Sequence, residues 1–212
     1  MNRPRVLLGD DHQMVTEGLR RILDPEFEIV AAVDDGQALV RAVAEHNPDV
    51  VVTDISMPLL NGVDAARRIG NIAPATKIIF LTMHTDANYV RETFAAGAAG
   101  YVVKHSAAAE LVTAIREVLK GRSYISPQIA KTLVDLAVSG PPSPQAGFRL
   151  TLRPREIVQM VAEGFTAKEI ARRLKISPRT VEDHKARIMA GLGIHSTAAL
   201  TQYAMRQGLV SE

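Results

Sequence analysis

The sequence predicts an α/β unit built on a parallel sheet, followed by a smaller all-α unit. Three observations carry this prediction. Residues 5–120 repeat one pattern five times, a short apolar run followed by a helical stretch, and such alternation builds a parallel sheet covered by helices. Residues 139–147, Ser-Gly-Pro-Pro-Ser-Pro-Gln-Ala-Gly, neither pack nor continue a helix, so they mark a linker. Residues 148–210 then carry only helical signals.

The five apolar runs are Arg5–Gly9, Glu28–Val33, Asp49–Thr53, Lys77–Thr82 and Gly100–Val103. The helical stretches fall at about 13–23, 36–46, 62–72, 87–97 and 107–120. Gly97 and Gly121 stand where helix stops are expected, and Asp86 and Ser106 where N-caps are expected. Residues 121–138 read as a turn and a connecting helix over 128–138. The division is therefore 1–121, a linker at 122–147, and 148–212.

Composition narrows the class. The chain has 212 residues, 47% hydrophobic and 23% charged, an ordinary soluble globular balance. It contains no Cys, which excludes disulfides and thiolate metal sites and suits a reducing cytoplasm. No apolar run approaches the ~18 residues of a membrane span, and the N-terminus has no signal-peptide pattern. Lys and Arg number 14 against 17 Asp and Glu in residues 1–140, but 11 against 6 in residues 141–212. An acidic first part and a basic second part suggest that the second faces nucleic acid; a basic soluble surface is the alternative.

The chemistry gathers where apolar strands end. Val50-Val51-Val52-Thr53 reads as a strand buried on both faces, and Asp54 follows it. The first strand ends in Asp10-Asp11, the fourth in Thr82 and the fifth in Lys104. In a parallel sheet these ends share one edge, where ligands of α/β folds bind. Three carboxylates crowded there must take up protons or be neutralised by a cation. A hard divalent ion such as Mg²⁺ fits oxygen ligands. Asp54 is then a carboxylate nucleophile for a phosphoryl group, with Lys104 and the Thr82 hydroxyl offsetting charge on the phosphoryl oxygens. Taken singly, Asp10 and Asp11 also fit helix caps, as Asp34-Asp35 do. Tyr101 fits a core residue, and His84 and His105 fit surface loops.

Asp10-Asp11-His12, Asp54 with Met57-Pro58 and Asn61-Gly62, Thr82, and Gly100-Tyr101-Val102-Val103-Lys104 together resemble the receiver domain of two-component response regulators. The resemblance covers about residues 1–121. It implies a flavodoxin-like, doubly wound five-stranded parallel sheet of order 2-1-3-4-5, the order found in a chemotaxis receiver. It further implies that Asp54 is the phosphoacceptor for a sensor histidine kinase. Asp10, Asp11, Asp54 and the Ser56 backbone carbonyl hold Mg²⁺, and Thr82 and Tyr101 form the switch. Ser56 and His84 occupy positions that tune dephosphorylation.

In the second part, Thr151 is an N-cap candidate with Pro154 in the first turn, and this helix ends at Glu163-Gly164. Thr166 caps a short helix, Ala167–Leu174. Ser177 caps the next, with Pro178 at its first position. Two helices across a tight turn read as helix-turn-helix. On the Ser177 helix, Val181, Ile188 and Leu192 share one face, while Arg179, Glu182, Asp183, Ala186, Arg187 and Ala190 lie broadly opposite. The second set can enter a major groove; Lys168, Arg172, Arg173, Lys175, Arg179, Lys185 and Arg187 can reach phosphates. His184, on the inner flank, reads as structural.

Leu150-Thr151, Arg155-Glu156-Ile157, Ala162-Glu163-Gly164, Lys168-Glu169-Ile170-Ala171, Ser177-Pro178-Arg179-Thr180-Val181 and Leu192-Gly193 resemble the LuxR-type helix-turn-helix domain, a four-helix all-α unit. The resemblance implies double-stranded promoter DNA as a ligand, with Lys168, Arg179, Thr180, Glu182, Asp183, Lys185 and Arg187 as contacts. It also implies dimerisation through Leu200, Tyr203 and Ala204 on the last helix. Glu182 and Asp183 depart from relatives that carry Lys or apolar residues there, and Gly191 replaces a residue that is commonly Lys.

The whole chain thus resembles the NarL/FixJ class. The expectation is a cytoplasmic, phosphorylation-switched DNA-binding regulator that catalyses only its own phosphorylation and dephosphorylation and dimerises when phosphorylated. Two rivals are a phosphorylation-independent dimeric DNA binder and an Mg²⁺-dependent phosphatase on the same fold.

Overall fold

In this computed structural model the described residues are 3–83, 87–130, 150, 152–207 and 209–210. The expected caps Asp86 and Thr151, His84, the Pro-rich stretch 139–147 and most of the predicted 128–138 helix lie outside them.

The first unit alternates β1 (Arg5–Gly9), α1 (Gln13–Leu23), β2 (Glu28–Val33), α2 (Gly36–His46), β3 (Val50–Thr53), α3 (Gly62–Ile72), β4 (Lys77–Thr82), α4 (Ala87–Ala95), β5 (Gly100–Val103) and α5 (Ala107–Leu119). A single 3₁₀ turn at Lys104–Ser106 joins β5 to α5. All pairings are parallel and the order is β2-β1-β3-β4-β5, as the resemblance implies, with a sixth strand, β6 (Tyr124–Ile125), beside β5.

That sixth strand corrects the five-strand expectation. The sequence places Tyr124 and Ile125 in a turn, since two residues show no periodicity. The edge of β5 supplies what sequence could not: Tyr124 N–H donates to Ala99 O and Ser126 N–H to Tyr101 O. Ile129 is fully buried in the same core. The first unit therefore continues past 121, into the segment read as linker.

Period-2 alternation sends side chains to two cores. Leu7, Val51, Phe80, Tyr101 and Val103 pack under α2, α3 and α4. Val6, Leu8, Val50, Val52, Ile79, Leu81 and Val102 pack under α1 and α5. Each fully buried aliphatic side chain of this kind contributes about 1.5–3 kcal/mol relative to an exposed one. Local signals set the helix ends. Asp35 accepts from Ala38 N–H at α2 and Asn61 from Asp64 N–H at α3. Gly97 and Gly121 adopt positive φ after α4 and α5. Ser106 does not cap α5 as expected; its hydroxyl turns back to donate to Val103 O at 3.0 Å.

The second unit comprises α6 (Leu152–Ala162), α7 (Ala167–Leu174), α8 (Pro178–Leu192) and α9 (Thr197–Arg206) around one core. Thr166 and Glu169 form a reciprocal capping box on α7. Ser177 caps α8 with Pro178 in the first turn. Lys175, in the left-handed region, makes the tight turn between them.

Candidate functional site

The sheet register brings the predicted residues to one edge. Gly9 pairs with Thr53, Thr53 with Phe80, and Thr82 with Val103. Asp10, Asp54, Thr82 and Lys104 therefore leave four adjacent strands together. Ligand atoms of Asp10, Asp11, His12 and Asp54 lie within 4.8 Å of one another. Lys104 Nζ bridges two of them, 2.6 Å from Asp54 Oδ2 and 2.8 Å from Asp10 Oδ2. Ile55 N–H donates to Asp54 Oδ1 at 2.6 Å, which fixes the carboxylate's orientation.

His12 is the member that sequence reasoning missed. Its Nδ1 lies 3.1 Å from Asp10 Oδ1 and 2.9 Å from Asp11 Oδ1. The available signal was its place directly after two acids. His12 holds the N-cap position of α1 without a side-chain cap bond, and Asp10 accepts from the His12 N–H. The aspartates thus turn into the site instead of capping the helix.

Burial dominates the electrostatics. It pushes the Asp54 carboxyl above its ordinary value, against the lowering effect of Lys104; the charge of Asp10 adds to the rise. Burial of Lys104 opposes its charge, but Asp54 and Asp10 outweigh it and hold the ammonium above its usual range. Asp10 Oδ2 is buried and held by the Lys104 ammonium. Three carboxylates gathered at one sheet edge form a donor set that fits a hard divalent cation. Ser56, Thr82 and Tyr101 are all buried, Tyr101 within the sheet core beside Phe80.

Gly62 explains how the following loop comes so close. Its N–H donates to Ile55 O at 2.7 Å. A Cβ there would overlap the Asp54 carbonyl oxygen, so only glycine allows this approach.

On α8, Val181 and Ile188 are buried while Arg179, Glu182, Asp183, Ala186, Arg187 and Ala190 are exposed along one side. Lys168 is exposed on α7. Lys185 is half-buried, and the Thr180 hydroxyl sits 2.8 Å from that of Ser177 at the helix start. The expected dimer residues need correction: Leu200 and Ala204 are buried in the unit's own core, where α9 packs on α6. Tyr203 is half-buried, and burial raises its hydroxyl pKa with smaller effects from Arg155 and Glu92. A helix must bury one face in its own domain, and two of the three residues carried over from the resemblance lie on that face.

A family model for the response regulator receiver domain matches residues 6–116, and one for bacterial regulatory proteins of the luxR family matches residues 149–204. The chain is 36% identical over 214 residues to the oxygen regulatory protein NreC of Staphylococcus aureus, spanning 97% of this chain and 99% of NreC. It is 32% identical over 226 residues to the transcriptional regulatory protein DegU of Brevibacillus brevis, spanning 99% and 96%. The RcsB response regulator of Salmonella typhimurium superposes with a TM-score of 0.61 at 27% identity, covering 97% of this chain and 100% of that one. A solved RcsB–DNA complex gives a TM-score of 0.61 at 26% identity, covering 99% of this chain and 100% of that one. The chain is a response regulator. It belongs with these relatives to the NarL/FixJ class, phosphorylation-regulated transcription regulators of two-component systems.

In this response regulator the two domains are docked. The side chain of Gln159 on α6 is fully buried against the loop that follows β3: Nε2 donates to Met57 O at 2.6 Å, and Oε1 accepts from Asn61 N–H at 2.8 Å. Glu163 accepts from Leu59 N–H at 3.1 Å. Burial raises the Glu163 carboxyl pKa, against the lowering effect of the Gln159 and Leu59 donors. Leu59 adopts a left-handed φ of 65°, which a branched side chain rarely takes. Beside this contact, Arg155 joins buried Asp64 on α3 at 3.1 Å and Glu92 on α4 at 2.6 Å, and Glu156 pairs with Arg68. Sequence reasoning missed the whole interface. Its one signal is Glu156, Gln159 and Glu163, a polar stripe at helical spacing beside the apolar Ile157, Val158, Met160 and Val161.

Proposed function

We propose that Asp54 takes the phosphoryl group from a sensor histidine kinase, and that this shifts the protein toward a dimer engaging promoter DNA through α8. The observation that carries the reading is Lys104 bridging Asp54 and Asp10 at the ends of three strands. An Asp54 oxygen attacks phosphorus, the P–N bond of the phosphohistidine breaks, and the departing imidazole nitrogen keeps the electron pair. Asp10, Asp11, Asp54 and the Ser56 carbonyl would hold Mg²⁺, which supplies positive charge to the phosphoryl oxygens. The Lys104 ammonium passes from the Asp54 carboxylate to a phosphoryl oxygen. Thr82 donates its hydroxyl to another, and Tyr101 responds beneath it.

The route outward begins at the β3–α3 loop. Phosphorylation alters the backbone next to Asp54, and Gln159 and Glu163 grip that same loop from the DNA-binding domain. A change in loop geometry thereby biases docking, a population shift between two arrangements. For the dimer we propose the outward face of α9, with Gln202 and Met205 exposed, in place of Leu200 and Ala204.

The test is intact mass and sedimentation after incubation with acetyl phosphate and Mg²⁺. The expected result is one phosphoryl adduct and a dimer, both absent in Asp54→Ala. An adduct that persists in Asp54→Ala overturns the assignment. The exposed groove face of α8 in the docked arrangement favours a second reading, in which the unphosphorylated chain also binds DNA. Equal promoter affinity for Asp54→Ala and phosphorylated wild type would select it.

A further inference from the structure

Between the docked domains lies an open cleft of about 280 Å³, walled on the receiver side by α2 and α3. Its walls include Arg41 of α2 and Arg68 of α3 from the receiver. Arg153 of α6, Arg173 of α7 and Lys175 come from the DNA-binding domain. Against five cations stands one carboxylate, Glu156, which is buried and pairs with both Arg68 and Arg153. The formal excess is four positive charges.

We propose that this cleft binds a small diphosphate-bearing molecule, and that the bound anion holds the two domains together. Like charges crowded in a concave site repel one another, and an anion placed among them removes that penalty. Burial, and then the charge of Arg153, already push the Arg68 guanidinium pKa below its ordinary value. Two cations are held in place: Arg153 also donates to Leu174 O at 2.9 Å, and Arg173 lies 4.3 Å over the Phe165 ring. Among the described residues, Arg41 and Lys175 have no anionic partner.

Guanidinium forks match phosphate oxygens in pairs. The volume falls just below the roughly 300–1,000 Å³ of ligand pockets, which suits a diphosphate group more than a whole large ligand. Val40 and Leu174 are the apolar lining, so any organic portion of the ligand extends outside. Duplex DNA fits less well, because the cleft is concave and two of its cations belong to the receiver. Since both domains build the site, the ligand binds the docked form alone. It raises the ratio of docked to undocked protein by mass action, about 100-fold at a concentration 100 times Kd. The ligand would thus set how much phosphorylation is needed to separate the domains.

The test titrates the full-length protein, free of Mg²⁺, with inorganic pyrophosphate and, at matched ionic strength, with sulfate. Calorimetry and amide NMR are read together. The expected result is saturable binding of pyrophosphate over sulfate, with Gln37 and Leu174 amides shifting at one midpoint. Arg41→Glu weakens it by about tenfold or more, as expected for reversing one nearby charge. Lys175→Asn, which tolerates the left-handed turn, weakens it too, and Arg187→Gln on α8 does not. The proposal is overturned by absence of saturable binding, by an equal response to sulfate, or by shifts confined to one domain. It is also overturned by binding lost in Arg187→Gln and kept in Arg41→Glu. None of these outcomes depends on Asp54 accepting phosphate.

Discussion

Gln159→Ala should loosen the docked domains. The side chain is fully buried and makes two hydrogen bonds across the domain boundary, 2.6 Å to Met57 O and 2.8 Å from Asn61 N–H. It also donates to Glu163 Oε1 at 2.7 Å, so its loss leaves a half-buried carboxylate short of a donor. Two net hydrogen bonds at about 1 kcal/mol each, with some of the cost of the stranded partners, give a loss of about 2–3 kcal/mol. That corresponds to roughly 30- to 150-fold in the docking equilibrium. The loss has a ceiling: once the domains part, water satisfies the Met57 and Asn61 backbone groups. The protein contains no Cys, so a pair of engineered cysteines labels it cleanly for single-molecule energy transfer. Glu17 on α1 and Gln202 on α9 are exposed positions for them. The variant should move population from the high-transfer docked state to a broad low-transfer state. An unchanged distribution would refute the reasoning that Gln159 fastens the domains.

Four further outcomes follow from the same geometry. Asp54→Asn should raise the stability of the metal-free protein at pH 7. Folding lifts this carboxyl pKa above 3.8, so the ionised group is a liability at neutral pH; wild type recovers as pH falls and Asp54 takes up its proton, and chemical denaturation across pH 4–7 should show the difference shrinking. Lys104→Met should bind Mg²⁺ more tightly, because no ammonium then competes for Asp10 and Asp54, while accepting phosphate from acetyl phosphate more slowly; calorimetry and intact mass read the two effects. Gly62→Ala should lower the receiver's thermal midpoint by several degrees, since a Cβ there forces the Asp54 carbonyl to move at a cost of about 1–3 kcal/mol; an unshifted melt would mean that the loop yields freely. Arg187→Gln should reduce the slope of log affinity against log salt for promoter DNA by about 1 if its guanidinium contacts a phosphate.

Much of the site was legible because parallel strands deliver their ends to one edge whatever the helices do. Asp10, Asp54, Thr82 and Lys104 each follow an apolar run, so identifying the runs located the chemistry. His12 was overlooked because a histidine after two acids has no periodic signature, and its turn toward them is a backbone event. The groove face of α8 was legible because a helix with a defined start divides cleanly by angle. On α9 the residues came from the family resemblance, and Leu200 and Ala204, as apolar as an interface, serve the domain's own core.

The sequence by itself determined the two folds, the polar edge of the sheet and the exposed face of α8, because each rests on local pattern: strand runs, caps and one amphipathic face. The tertiary structure decided what lies between the two domains. Gln159 gripping backbone groups of the Asp54 loop and Arg41 and Lys175 facing one cleft join residues distant in the chain. Neither backbone acceptors nor charges without partners leave any periodic trace in a sequence; they acquire meaning only when a second surface arrives.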